Sequence, residues 1–353
     1  MRQHPPASAG SNPLRITAVT CVKNEGPFLL EWIAFQRVIG VTDFLFYSND
    51  CTDATDRLLE CLAGHGVVTH LPNPARNRNY QMQALKDARK QAVVQQADWV
   101  WVADVDEFLN IHVGDHTLPA LIEACGNPMA ISVTFQFFAN NGVTAFEDRP
   151  VIEQFQHSHN PDIWCNQTAI EVKTLVRQDF PLAYYGAHRP FHDEEKHGAP
   201  AWTDGAGRPV PPRFRKRVNK RRIRAFPARD ARTHATLNHY ALRSLDSYLV
   251  KNDRGDVNRE HRAFDDSYWR ERNDNGFHDP SILRYLAPLE EEIARLKALP
   301  GVAALHEEAV ARHMARRDAL LRQESYRQMR DQLLAASPFP PLEEALRKEL
   351  EIT

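Results

Sequence analysis

Between residues 16 and 102 the chain repeats one pattern: a short β-branched or aromatic run, a polar turn, then a stretch of helical length. Ile16 to Val22 is the first run, and Pro27 follows where a helix first turn tolerates proline. Phe28, Leu29, Trp32, Ile33, Phe35 and Val38 then fall largely on one helical face, which Gly40 terminates. Phe44 to Tyr47 is the next run, Thr52 or Asp53 can cap a helix carrying Leu58, Leu59 and Leu62, and Val67 to Leu71 is the third run. A polar helix is expected from Asn79 to Gln95, leading into Trp99 to Val102. Short strands alternating with such helices predict an α/β fold with a mostly parallel sheet flanked by helices on both faces.

The rhythm changes at Ala130. Ala130 to Phe138 and Ala169 to Val176 read as strands without intervening helices, which predicts an antiparallel or mixed edge. Residues 198–212 form a Gly- and Pro-rich loop, and residues 213–224 hold eight Lys or Arg among twelve. From Pro280 the chain reads as helical, broken at Pro300-Gly301 and at Pro338 to Pro341, with modest apolar stripes suited to packing on the main domain. The expected division is a disordered leader at 1–13, a main domain at 14–255 and a helical C-terminal extension at 256–353.

Charge and cysteines narrow the setting. A formal net charge of −2 with 25% charged residues excludes a nucleic-acid binder that works by bulk charge. The five cysteines include no Cys-x-x-Cys pair, and their odd number argues against a complete disulfide framework. No apolar run approaches the ~18 residues of a membrane span, and the opening residues lack a signal-peptide core. The expected location is the cytoplasm, with peripheral contact at the inner membrane face through Arg213 to Arg224.

The apolar run Trp99 to Val102 ends on Asp104, Asp106 and Glu107. Acids delivered to the carboxyl edge of a sheet repel one another, and Mg²⁺ or Mn²⁺ relieves that repulsion while holding phosphates. Two more polar clusters end strands on the same edge: Val22-Lys-Asn-Glu25 and Tyr47-Ser-Asn-Asp50-Cys-Thr-Asp53. Asn24 and Asp53 also suit helix capping at strand-to-helix turns.

These three clusters, in order, resemble the family 2 like glycosyltransferases with the GT-A fold, closest to the bacterial branch related to family 92. The resemblance runs over residues 14–255, and Leu237-Asn-His239-Tyr-Ala-Leu-Arg243 is similar to the downstream Asn-His-Tyr element of that branch. It implies a nucleotide-sugar donor, UDP- or GDP-linked, bound by Asn24, Glu25, Asn49, Asp50, Asp104, Arg243, Lys251 and Arg254, with Asn49 or Asp50 meeting base or ribose. It implies Mn²⁺ or Mg²⁺ on Asp106 with Asp104 and His239 around it, and a glycan or lipid-linked acceptor. Arg243 and Lys251 are eight apart, hence near one face of an expected helix. An inverting transfer needs a carboxylate base, for which Asp193 and Glu147 lead Asp148, Glu194 and Glu195. Trp164 and Tyr185 are candidates for stacking on a sugar ring. The rival readings are a nucleotidyltransferase, which would carry a Gly-rich phosphate loop that Val22-Lys-Asn-Glu-Gly-Pro27 lacks, and a noncatalytic protein that kept the fold.

Overall fold

A computed structural model describes residues 14–76, 79–161, 171–215, 230–255, 266–339 and 341–351. The leader, Trp164 and most of the basic stretch, residues 216–224, lie outside these described residues.

Four strands form the first half of the sheet: β1 (Ile16–Val22), β2 (Asp43–Ser48), β3 (Thr69–Pro72) and β4 (Trp99–Val102). They lie in the order β3-β2-β1-β4, all parallel, as the alternating pattern requires. The expected long helix before β4 is two pieces, Tyr80–Ala88 and Ala92–Gln95. Between them Gln91 adopts extended backbone, and its side chain folds back to donate to Asp87 Oδ2 at 2.8 Å, the same oxygen that receives the Tyr47 hydroxyl.

The second half is mixed. It comprises β5 (Glu107–Ile111), β6 (Ala130–Phe137), β7 (Val172–Arg177) and β8 (Ala235–His239), continuing the sheet as β4-β7-β6-β8-β5, and a short strand at Trp202–Asp204 that pairs parallel with the start of β6 off this path. β7 is antiparallel to β4 and β6, β8 is parallel to β6, and β5 closes the edge antiparallel to β8. The antiparallel pair β6 and β7 therefore sits inside the sheet instead of at the edge expected from sequence. β8 reaches back about 100 residues to fill the slot beside β6.

Alternate residues of the strands face two cores. On one side Ala18, Phe44, Phe46 and Trp101 pack under α1 (Gly26–Val38), whose residues 26–36 are all buried. On the other, Val19, Leu45, Val100 and Val102 pack against Ala84, Leu85 and Ala88. The sheet alternation of period two thus supplies both layers. α1 is buried because α6 (Leu286–Lys297) and α7 (Val302–Leu321) cover its outer side, and Leu289, Leu296 and Val302 belong to the same core. Further helices are α2 (Thr55–Gly64), α3 (Tyr80–Ala88), α4 (Leu118–Ala124) and α5 (Leu245–Arg254), and α8 (Glu324–Leu334) and α9 (Pro341–Glu349) follow α7. The helix breaks at Pro300-Gly301 and Pro338 to Pro341 are present. Among the described residues no helix is long and apolar enough to cross a membrane.

Candidate active site

β4 runs out at Val102, and the chain turns through Asp104, Val105 and Asp106 before β5 leaves the other way. The Glu107 N–H donates to the Asp104 carbonyl at 3.0 Å, and the Asp104 N–H donates to Glu107 Oε2 at 2.9 Å. Opposite this turn stands the end of β8, where His239 is the register partner of Glu107. Ligand atoms of Asp106, Glu107 and His239 consequently lie within 4.8 Å of one another. His239 Nε2 is 3.5 Å from Asp106 Oδ1, while its Nδ1 is buried without a hydrogen-bond partner among the described residues.

The grouping differs in one respect from the set expected from sequence. Asp104 is two-fifths exposed and is held by Lys173 Nζ at 2.8 Å and Gln81 Nε2 at 3.2 Å, whereas Glu107, 1% exposed, joins Asp106 and His239. Lys173 itself is 1% exposed and also reaches Glu107 at 3.3 Å. Sequence reasoning passed over it, although a lysine inside the apolar run Val172 to Val176 had to find an acid once that strand became central.

Electrostatics follow from burial and pairing. For Asp106, burial pushes the carboxyl upward, but Lys251 at 2.8 Å, His239 and Arg243 outweigh it and hold the group well below the usual carboxylate range. Burial raises Glu107 above its usual range, aided by Asp104 and Asp106 and opposed by Lys173. Burial lowers His239 in spite of Asp106, which favours the neutral imidazole that a metal requires. An aspartate, a glutamate and an imidazole so close together could hold a divalent cation, the two carboxylates being hard oxygen donors of the kind that Mn²⁺ and Mg²⁺ take.

The cations form a second group beside this one. Glu25, at the end of β1, pairs with Arg243 at 2.9 Å and with Arg254; burial pushes it up and the two guanidiniums more than offset this, lowering it. Arg243 stands before α5 with φ of +56°, stacks over Phe28 at 3.5 Å and also donates to the Val105 carbonyl. It does not share a helix face with Lys251, as the spacing had suggested. Both still reach the acid turn, Arg243 through the Val105 carbonyl and Lys251 through Asp106, while Arg254 reaches the Lys23 carbonyl.

The nucleotide-side candidates are placed as follows. Asn24 Oδ1 accepts from the Thr52 N–H at 2.7 Å, tying the turn after β1 to the turn after β2. Asp53 Oδ2 accepts the Gly26 N–H at the start of α1, and its Oδ1 accepts from Thr55 at the start of α2, so Asp53 ties the two helix starts together, while the N-cap position of α2 is Ala54 and not Thr52 or Asp53. Asn49 Oδ1 is buried without a donor among the described residues, and Asp50 is exposed in left-handed backbone with φ of +48°. Of the base candidates, Asp193 caps the turn 194–197 by accepting the Lys196 N–H at 3.3 Å, and Glu147 is exposed and paired with Arg149 at 3.2 Å. Tyr185 is buried in the second core.

A stretch of 113 residues, 31% of the chain, is 30% identical to a glycosyltransferase family 92 protein of Ricinus communis, of which it covers 19%. The chain thus spans about a fifth of the curated relative it matches. Among solved structures, fragment 1–349 of TarS from S. aureus is 13% identical over 89% of this chain and 92% of that one, with a TM-score of 0.32. The same fragment in complex with UDP-GlcNAc is 13% identical over 47% of this chain and 46% of that one, with a TM-score of 0.29. Likeness that loose carries no argument about chemistry. The sequence model of glycosyltransferase family 92, however, matches residues 17–201, which is 185 of 353 residues and takes in both turns of β1 and β2, the acid turn after β4 and Lys173; the chain belongs to glycosyltransferase family 92.

Proposed function

We propose that the chain transfers a sugar from a UDP- or GDP-linked donor to a glycan or lipid-linked acceptor, with inversion and with Mn²⁺ or Mg²⁺ at the acid turn. The observation that carries this reading is the convergence of Asp106, Glu107 and His239 within 4.8 Å, with Lys251, Arg243 and Arg254 packed alongside. Asp106, Glu107 and His239 would hold the ion, with Asp104 behind them. When bound, the ion supplies Lewis-acid stabilisation of the charge that develops on the departing nucleoside diphosphate. Arg243, Lys251 and Arg254 bind and orient that diphosphate, and their burial strengthens each contact. Asn24, Asn49 and Asp50 receive the base and ribose, the buried Asn49 Oδ1 offering an acceptor to either. Asp193 or Glu147 takes the proton of the attacking acceptor hydroxyl. The basic stretch from Arg213 to Arg224 would bring the enzyme to the inner face of the membrane, where lipid-linked acceptors lie.

The test is a screen of nucleotide sugars for Mn²⁺-dependent transfer or hydrolysis. Asp106→Ala should abolish turnover while the circular dichroism spectrum stays that of the folded chain, with a lowered melting temperature because Lys251 loses its buried partner, and of Asp193→Asn and Glu147→Gln one should lose turnover with donor binding intact. Full turnover in excess EDTA would defeat the metal, and no turnover with any donor would defeat the reading.

A further inference from the structure

Past the end of β6 a cavity of about 750 Å³ opens between the loop at 140–143, Gln154 and His157, and the segments 269–275 and 333–338. It begins beside the candidate active site: the Phe138 N–H donates to the His239 carbonyl at 3.1 Å, and Asn140, two residues on, lines the cavity. Its volume is that of a small-molecule site, roughly 300–1,000 Å³.

The lining is unusual for a chain in which 25% of residues are charged. Among the described residues that line it there is no Asp, Glu, Lys or Arg; five carry carboxamides, Asn140, Asn141, Gln154, Asn273 and Asn275, and His157 and Trp269 are the other polar ones. Hydrogen bonds fix several of them. Asn140 Nδ2 donates to the Val143 carbonyl and its Oδ1 accepts the Gly142 N–H; Asn141 Oδ1 accepts the His157 N–H and its Nδ2 donates to Gln154 O; Asn275 Nδ2 donates to the Pro338 carbonyl. A carboxamide has two N–H groups and two oxygen lone pairs, so each of these three keeps an N–H and a lone pair for a ligand. The indole N–H of Trp269, a lining residue 1% exposed, has no acceptor among the described residues. Leu245, Leu333 and Leu334 supply apolar wall.

Resting on the transferase reading above, we infer that this cavity is the acceptor site and that it takes a neutral glycan. Prepositioned groups that both donate and accept match vicinal hydroxyls, which do the same, and the apolar wall matches the C–H faces of a pyranose. With no Asp, Glu, Lys or Arg among the described lining residues, a phosphorylated or carboxylated acceptor would be desolvated here with no counter-charge from them.

Binding of a neutral oligosaccharide array and of its phosphorylated and uronic-acid counterparts to the full chain tests this, with UDP and GDP binding followed separately by calorimetry. Leu334→Trp places bulk at a side chain that is 47% exposed, so the fold should tolerate it, and Asn275→Ala removes one amide. Neutral glycans should bind the wild type; Leu334→Trp should abolish that binding, and Asn275→Ala should weaken it roughly threefold to tenfold, the worth of one hydrogen bond. Nucleotide binding should be unchanged in both. Glycan binding that both variants retain, preference for the acidic counterparts, or no neutral glycan bound by the wild type overturns the proposal. Glycan binding with no affinity for either nucleotide would instead defeat the transferase reading and leave a glycan-binding cavity.

Discussion

Glu25 shows how a single side chain governs the site. Its carboxylate neutralises two guanidiniums, on Arg243 and Arg254, that would otherwise face each other in a buried setting. Removing one partner of such a network leaves uncompensated charge, so Glu25→Ala should destabilise the fold by about 3–5 kcal/mol in urea titrations, more than a surface pair could account for. Asp106 was legible in the sequence because an apolar run stops abruptly on it. Glu107 stood in the same run, but its place in the ligand set depends on facing His239 across strands, and local periodicity says nothing about which distant strand will be the neighbour. Lys251 was legible as a cation and illegible as a partner of Asp106, for the same reason.

At the scale of elements, α1 is the piece everything else leans on. Its first residue, Gly26, is there for space: a Cβ would come within 2.6 Å of the Ala309 Cβ on α7. Gly26→Ala should therefore push α7 off α1 and cost about 1–3 kcal/mol, read as a lowered urea midpoint with unchanged slope. Glu31, on the same helix, is buried and raised to about 7 by desolvation, only partly relieved by backbone N–H groups at Val151 and Ile152. The folded state thus keeps this proton between the ordinary carboxylate value and pH 7 while the unfolded chain loses it, so stability falls as pH rises through that window. Glu31→Gln should be nearly neutral at pH 4 and stabilise by a few kcal/mol at pH 8; a gain that does not change with pH would contradict this. The alternation of strands and helices through β4 was readable from the chain because each short apolar run and each helix there is marked by its own local period, whichever strand it pairs with; β1, β2 and β3 pair in sequence order and β4 returns to β1. The interior position of β6 and β7 was not, since it is set by β8 arriving from far downstream.

For the whole molecule, that late arrival has a consequence for how the protein is made. β5 is the edge of the sheet and its neighbour is β8, so while the chain emerges from the ribosome residues 107–111 wait with an unpaired edge until residues 235–239 follow. More than a hundred residues separate the two, several seconds of synthesis at ~5–20 residues per second, during which one strand-wide slot stands open between β5 and β6. Exposed edges beside apolar faces invite pairing with other chains. A fragment ending at residue 230 should accordingly aggregate on expression while the full chain does not, with co-expressed residues 231–353 restoring it in sedimentation assays. Since β8 also carries His239, the strand that protects the nascent sheet is the one that completes the metal-ligand group, and no partly made chain can hold that group before its own edge is safe.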